Sequence, residues 1–269
     1  MYENYEKPQF SACLLYFDDR YSHDLALRIL NTIKEYGFYP PKLIFAGSLT
    51  NNRYIKFHTD REELFDSAYS DQDVLTIELC SSQKNQATGF WRLLITKAIK
   101  AINKGPALPR SKKEWNTLHL SFTYDKLTDE AFCVRFQKCV KRLIELLHPF
   151  FARMDDMAVS VDMALDRNPP NGFARTQPTE YGTVNAIYWG NYYGSDYCKK
   201  YLPPDITCCD AAVWEPLGDG MFFSLSGEIK DFCTPKGLKN RMILTKKLGI
   251  QPIHPEAVNT MEQINRMIK

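Results

Sequence analysis

The hydrophobic and polar positions of the chain follow two periods, and together they predict a protein that mixes helices and strands. Residues 10–17 form a near-continuous apolar run, typical of a central strand. Residues 74–79 alternate between apolar and polar, the period of a half-buried strand. Between these runs, one apolar stripe at helical spacing predicts a helix: Leu25, Ile29, Ile33 and Tyr36. Residues 60–69 predict a second, short acidic helix.

The second part of the chain repeats this order. Residues 118–124 predict a strand, and residues 157–164 predict another. A long helix is predicted between them, starting near Thr128 and ending by Pro149. Its apolar stripe consists of Phe132, Phe136, Val140, Leu143, Ile144 and Leu147. In the first half, residues 42–46 and 54–57 also predict two strands after the first helix. Each half therefore opens strand, helix, strand, strand. We expect an α+β fold with a mostly antiparallel sheet and helices packed on it.

The length favours a single α+β domain over residues 1–269 that could be built from two similar halves. Residues 105–113 hold two prolines among small and basic residues, and they form the best candidate linker. We therefore place the boundary of a pseudo-repeat between residues 112 and 113, giving halves 1–112 and 113–269. The repeat is one of element order, because the residues themselves show no self-similarity.

Charge is strongly segregated although the net charge is only +2. Residues 59–78 contain seven acids and one base, and the acids are Asp60, Glu62, Glu63, Asp66, Asp71, Asp73 and Glu78. Residues 79–113 contain no acid and eight bases, which are Lys84, Arg92, Lys97, Lys100, Lys104, Arg110, Lys112 and Lys113. Such blocks either form oppositely charged faces that steer a charged partner, or face each other and cancel. The sequence leaves both arrangements open.

No motif in the chain spells a known catalytic chemistry. Glycine-rich phosphate loops, nucleophile elbows and zinc-protease motifs are all missing from the sequence. The five histidines are scattered, and the eight cysteines form no C-x-x-C pair. The paired aspartates at strand ends suit turn and capping chemistry. We therefore expect a protein that is not an enzyme and uses neither a cofactor nor a metal.

The sequence predicts a cytoplasmic location without a membrane partner. No apolar run approaches the roughly 20 residues that span a bilayer, and the first residues lack the basic start and apolar core of a signal peptide. The cysteines are accordingly expected to stay reduced and to pack as small apolar side chains.

Residues 184–228 are the richest in aromatic side chains and turn signals. Residues 184–188 predict a strand, and Gly190 and Gly194 mark where the chain leaves the sheet. Ser195 can cap a short helix over residues 196–202. Residues 211–216 and 221–226 predict two further strands, joined through the turn at residues 217–220.

This order resembles the immunity protein 52 family, small bacterial proteins that neutralise a cognate polymorphic toxin. The resemblance is carried by three motifs: Tyr188-Trp189-Gly190-Asn191-Tyr192, Gly194-Ser195-Asp196-Tyr197, and Trp214-Glu215-Pro216-Leu217-Gly218-Asp219-Gly220. It implies a bacterial protein of a polymorphic-toxin or type VI secretion system. Its partner would be a protein toxin, for which a nuclease of the restriction-endonuclease type is the expected class.

A cation-lined nuclease site would accept an acidic surface. We therefore predict that Glu62, Glu63 and Asp66 on the short acidic helix bind the toxin, with Tyr192 and Tyr193 as aromatic anchors. The sequence leaves open the identity of the toxin, the face that binds it, direct or remote inhibition, and the oligomeric state.

Nucleic-acid binding through residues 84–113 is the alternative. That segment mixes cations with Phe90 and Trp91, as single-strand platforms do. The pI of about 8.0 is lower than is typical of such domains, so we expect no stable nucleic-acid partner.

Overall fold

The structure is a computed structural model in which the chain forms two compact units. It describes residues 9–17, 21–39, 43–48, 54–57, 62–71, 74–81, 91–97, 116–156 and 186–250. The first unit contains Ala12–Pro149, and the second joins residues 8–11 to residues from 150 onward. The predicted linker at residues 105–113 and the predicted boundary after residue 112 lie outside the described residues.

The first unit is a sheet with helices packed on it. Its strands are β1 (Gln9–Tyr16, of which residues 9–11 belong to the second unit), β2 (Leu43–Ser48), β3 (Tyr54–Phe57), β4 (Val74–Cys80), β5 (Trp91–Thr96) and β6 (Asn116–Thr123). They lie in the order β3-β2-β4-β5-β6-β1, and the pairs from β3 through β6 are antiparallel. The helices are α1 (His23–Glu35), α2 (Glu62–Ser70) and α3 (Glu130–Leu147).

Capping side chains define the ends of these helices. The Ser22 hydroxyl accepts a hydrogen bond from Leu25 N at the start of α1, and the Asp129 carboxylate accepts one from Phe132 N at the start of α3. Helix α3 ends with His148 in the left-handed conformation at φ 46°, just before Pro149. The predicted cap of α3, Thr128, is therefore one residue too early.

The core of the first unit is aromatic. Phe38 and Phe122 both make edge-to-face contacts with α3, with ring centroids 4.7–6.1 Å from those of Phe132 and Phe136. Helix α1 packs against both α2 and α3. The apolar stripe predicted for α3 is buried throughout. Of the stripe predicted for α1, Ile29 and Ile33 are buried, whereas Leu25 is only half-buried and its place on the core side is taken by Ala26 and Leu30.

The second unit has its own antiparallel strands. They are β7 (Phe151–Asp156), β8 (Gly190–Tyr193), β9 (Val213–Leu217) and β10 (Gly220–Ser224), in the order β7-β8-β10-β9. Its helices are α4 (Ser195–Tyr201) and α5 (Pro235–Lys247), with 3-10 turns at Ile206–Cys208 and Ile229–Cys233. The predicted α+β fold with a mostly antiparallel sheet is confirmed.

The strand predicted at residues 184–188 is wrong where the structure describes it. Residues 186–188 have no strand conformation, and the strand is Gly190–Tyr193. The Asn191 side chain explains this difference, because its amide accepts from Tyr188 N at 3.0 Å and donates to Tyr188 O at 2.9 Å. Both backbone groups of Tyr188 are thereby bound locally, which competes with pairing in a sheet.

Strand β7 is one that the sequence analysis did not predict. It occupies Phe151–Asp156 and is buried at every position, so it shows no alternation of apolar and polar residues. The strand predicted over residues 157–164 lies outside the described residues.

Trp189 anchors the core of the second unit. Its side chain is fully buried and meets Phe10 edge to face at 5.9 Å, and Phe10 in turn meets Phe232 at 5.5 Å. The indole Nε1 donates to Ser226 Oγ at 2.9 Å, which satisfies its polar group inside the core.

None of the helices in the described ranges has the length and apolar character needed to cross a membrane.

Candidate partner-binding surface

Helix α2 displays its acids because its apolar residues face the core. Phe65, Ala68 and Tyr69 are buried, at the spacing of one helix face. Two of the acids, Glu62 and Glu63, lie in the first turn, where the positive end of the helix dipole stabilises negative charge. The helix contains three acids and no base in nine residues.

Two of the three acids join α2 to α1. The Glu62 carboxylate accepts hydrogen bonds from Lys34 Nζ and from the Tyr39 hydroxyl. The hydrogen bond from Lys34 lowers the pKa of Glu62 from its ordinary value, so this carboxylate stays charged further into the acid range. One turn further along α2, both Asp66 oxygens lie 2.7 Å from His23 Nδ1. Helix α2 is thus held along α1 at two points.

Glu63 is the acid that remains free for a partner. Its side chain is exposed, and among the described residues no ion pair or hydrogen bond engages its carboxylate. Glu62 keeps 41% of its side-chain surface accessible and Asp66 keeps 23%, although both are paired. The three acids that the sequence predicted therefore occur together on one accessible helix, with Glu63 as the most available charge.

Sequence reasoning missed an apolar residue beside these acids. Leu27 on α1 is 43% exposed. His23 and Lys34 on α1 contact the acids of α2, and they mark the side of α1 that faces α2. Leu27 lies four residues after His23 and seven before Lys34, so helical spacing places it on the same side. A signal was present, since Leu27 is apolar but falls off the stripe that begins at Leu25. We call Leu27, Glu62, Glu63 and Asp66 the α1–α2 surface.

A buried lysine fixes the far end of α2. Lys97 is 2% exposed, and its ammonium donates to the carbonyls of Ala68 at 3.2 Å and Tyr69 at 2.9 Å, and to that of Asp71. It also lies 4.6 Å from the centroid of the Tyr21 ring. A positive charge at the last carbonyls of a helix balances the negative end of its dipole. Lys97 therefore holds α2 in place from its C-terminal end.

Tyr192 and Tyr193, the predicted aromatic anchors, are buried in the second unit. Their side chains are 1% and 0% exposed. The Tyr192 hydroxyl donates to Asp219 Oδ1 at 2.8 Å, and the Tyr193 ring packs edge to face on Phe223 at 5.1 Å. Burial raises the pKa of both phenols. Because rings in a core give no contact area to a partner, we leave them out of the α1–α2 surface and assign Leu27 as its apolar residue.

The acidic and basic blocks of the sequence partly face each other. Strands β4 and β5 pair antiparallel, which brings Arg92 Nε within 2.6 Å of Glu78 Oε1. Of the eight bases in the basic block, Arg92 and Lys97 lie in the described ranges, and both bind groups of the acidic block. The other six lie outside those ranges. Both described bases of the basic block are therefore engaged within the protein, and they do not support binding of nucleic-acid phosphates.

The described residues contain no group of three or more metal-ligating side chains. In a buried charge cluster of the second unit, the Asp155 carboxylate accepts hydrogen bonds from Trp189 N at 2.9 Å and from Asp156 N at 2.8 Å, and its Oδ2 lies 2.8 Å from Arg241 Nη2. The contacts with Trp189 and Arg241 join β7 to the residue before β8 and to α5. The cluster therefore helps to hold these parts of the unit together.

Comparison with known proteins supports the fold. No family model matches the chain, and no curated protein matches it. A solved structure described as Pseudomonas aeruginosa T6SS protein PA0821 is similar, with a TM-score of 0.62 and 14% sequence identity. The match covers 93% of this chain and 75% of that protein. At this identity the likeness shows a shared fold alone, and membership of the immunity protein 52 family stays a prediction.

Proposed function

We propose that this chain is a cytoplasmic immunity protein that binds and neutralises a cognate bacterial toxin without chemistry of its own. The observation that carries the proposal is the α1–α2 surface, where acids are held on one helix beside an exposed leucine. Interfaces combine such an apolar residue with a charged surround. The fold shared with a protein from a type VI secretion system supports the same setting.

The acidic charge suits a toxin whose active site binds phosphate. A nuclease lines its active site with cations, and a rigid acidic helix can occupy the place of the substrate backbone. Helix α2 is held by Lys34 and His23 along its length and by Lys97 at its end. The acids are therefore preorganised, which reduces the entropy lost on binding.

The proposal implies that a toxin gene lies beside the gene of this protein, and the test is a charge reversal measured against that toxin. Glu62→Lys/Glu63→Lys should lower the association rate constant about tenfold at low salt, since steering depends on complementary charge. Stopped-flow binding across a salt series measures it. The matched control is Asp205→Lys/Asp210→Lys, which changes the charge equally at two exposed acids of the second unit. An unchanged association rate in the first variant contradicts this surface.

Two further measurements separate this function from its rivals. A nucleic-acid protein would retard labelled single or double strands, with an affinity that falls steeply as salt rises. A metal-dependent enzyme would lose stability or activity with a chelator. We expect neither result, and we expect co-expression to protect cells from the toxin. Killing at the same rate in its presence contradicts the proposed function.

A further inference from the structure

Helix α5 carries an unbalanced charge that toxin binding at the α1–α2 surface does not use. Its 13 residues include five bases and no acid. The bases are Lys236, Lys239, Arg241, Lys246 and Lys247. Arg241 turns inward, where its Nη2 lies 2.8 Å from Asp155 Oδ2 in the buried cluster. The four lysines are exposed.

Helix stability does not explain all of these lysines. Lys246 and Lys247 lie in the last turn, where cations complement the helix dipole. Lys236 lies in the first turn, where the positive end of the helix dipole disfavours a cation and no acid of that turn offsets it. A charge at an unfavourable position indicates that the outer face of α5 has a use beyond folding.

Two apolar side chains lie among the lysines. Met242 is 64% exposed, and it shares a face with Lys239 and Lys246 at spacings of three and four residues. Ile243 is half-buried and lies between the same lysines. We call Lys236, Lys239, Met242, Ile243, Lys246 and Lys247 the lysine face. Methionine is enriched at protein interfaces, and the lysines give this apolar centre a polar rim of the kind that interfaces have.

The alternatives fit this face less well. A membrane-surface helix needs a broad apolar side, but Gly237 and Leu244 are buried within the unit, so few apolar groups remain outside. A nucleic acid would engage the lysines through phosphates and would leave Met242 without a suitable neighbour. An acidic protein surface with an apolar group satisfies both parts of the face.

The chain itself presents such a surface. The α1–α2 surface has three acids and an exposed leucine, whereas the lysine face has four cations and an exposed methionine. The net charge of +2 is small, so two copies repel each other only weakly. We propose that the lysine face of one copy binds the α1–α2 surface of a second copy. The contact is head to tail, because it joins two different surfaces.

The test uses the full chain without any toxin, so its outcome is independent of the proposed immunity function. Sedimentation velocity should show association at about 20 mM salt and its loss at about 300 mM, because salt screens exposed charges. Lys236→Glu/Lys239→Glu/Lys246→Glu should be monomeric at both salt concentrations. Glu62→Lys/Glu63→Lys should also be monomeric. Asp205→Lys/Asp210→Lys should associate like the wild type.

Mixing the two monomeric variants gives the decisive result. The lysine variant keeps an intact acidic surface, and the glutamate variant keeps an intact lysine face, so an equimolar mixture should associate at about 20 mM salt although neither variant does so alone. This restoration also shows that both variants are folded. A mixture that stays monomeric overturns the proposal, as does a wild type that is monomeric at low salt. If the lysine variant instead loses binding to phosphatidylserine vesicles or to an oligonucleotide, the face serves lipid or nucleic acid and the proposal is wrong.

Discussion

At the scale of single residues, burial decides what a side chain can do, and it separates the accessible acids of helix α2 from the buried tyrosines of strand β8. Glu62, Glu63 and Asp66 were predictable as a group because acids at helical spacing, with apolar residues between them, must share the outer side of a helix. Tyr192 and Tyr193 were not, because a tyrosine serves equally well in a core and at an interface. Their burial depends on long-range contacts, such as the one between Tyr193 and Phe223.

The buried ion pair between Glu78 and Arg92 gives the first stability prediction. Glu78 is 5% exposed, and burial raises the pKa of its carboxyl while Arg92 opposes that rise. Arg92→Met should destabilise the protein by about 3 kcal/mol, because it leaves a buried carboxylate without its cation. Glu78→Met/Arg92→Met should recover most of that loss. Urea unfolding of the three proteins measures both differences.

The loss in Arg92→Met should also depend on pH. Without Arg92, the pKa of Glu78 in the folded state rises further above its unfolded value, so the folded state binds a proton more tightly. The destabilisation is then full above the folded pKa and shrinks as the pH falls toward the unfolded value. Urea unfolding between about pH 8 and pH 4.5 follows it. The double variant has no carboxyl at this position and is the control, and equal pH profiles for the single and double variants contradict the argument.

At the scale of elements, helices were easier to predict than strands. Thr234 caps helix α5 and Pro235 occupies its first position, which is a common sequence signal for the start of a helix. Gly249 follows the end of the helix at φ 64°. Strand β8 was missed because the Asn191 amide binds both backbone groups of Tyr188, an arrangement that hydrophobic pattern does not encode. Strand β7 was not predicted, since a strand buried at every position shows no alternation of apolar and polar residues.

The hairpin of β9 and β10 depends on a glycine that the sequence marks only as a turn residue. A Cβ at Gly220 would lie 2.1 Å from Tyr193 O and 2.9 Å from Gly194 Cα, both of them backbone atoms. Gly220→Ala should therefore lower the free energy of unfolding by about 3 kcal/mol, because the strand must move away from β8. Gly227→Ala is the matched control, since nothing lies within 4 Å of its Cβ position. Thermal unfolding compares the two, and equal stability of the variants contradicts the close approach.

The order of strands also leaves β9 at an edge within the second unit. Leu217 pairs with Gly220 across a two-residue turn, so alternate residues of β9 direct their backbone groups away from β10. Pro216 is one of these residues and has no N–H to offer. A proline at this place limits the addition of a further strand to the edge. The lysine face and the α1–α2 surface, both formed by helices, are therefore the better places for partners.

At the scale of the whole molecule, opposite charges are collected on separate helices of the two units. Helix α2 has three acids without a base, and α5 has five bases without an acid. The near-neutral total hides this separation. If the α1–α2 surface binds both a toxin and a second copy, the two events exclude each other. Excess toxin should then convert associated copies into one-to-one complexes.

The charged and apolar parts of the α1–α2 surface should act on different rate constants. Leu27 offers contact area that is buried only after docking, so Leu27→Ala should raise the dissociation rate constant from the toxin about tenfold and leave the association rate nearly unchanged. Glu62→Lys/Glu63→Lys should mainly slow association. Val134→Ala is the matched control, because Val134 on α3 is 42% exposed, close to the 43% of Leu27. Equal dissociation rates for the two alanine variants would remove Leu27 from the interface. Slower association of Glu62→Lys/Glu63→Lys alone would still place the toxin at helix α2.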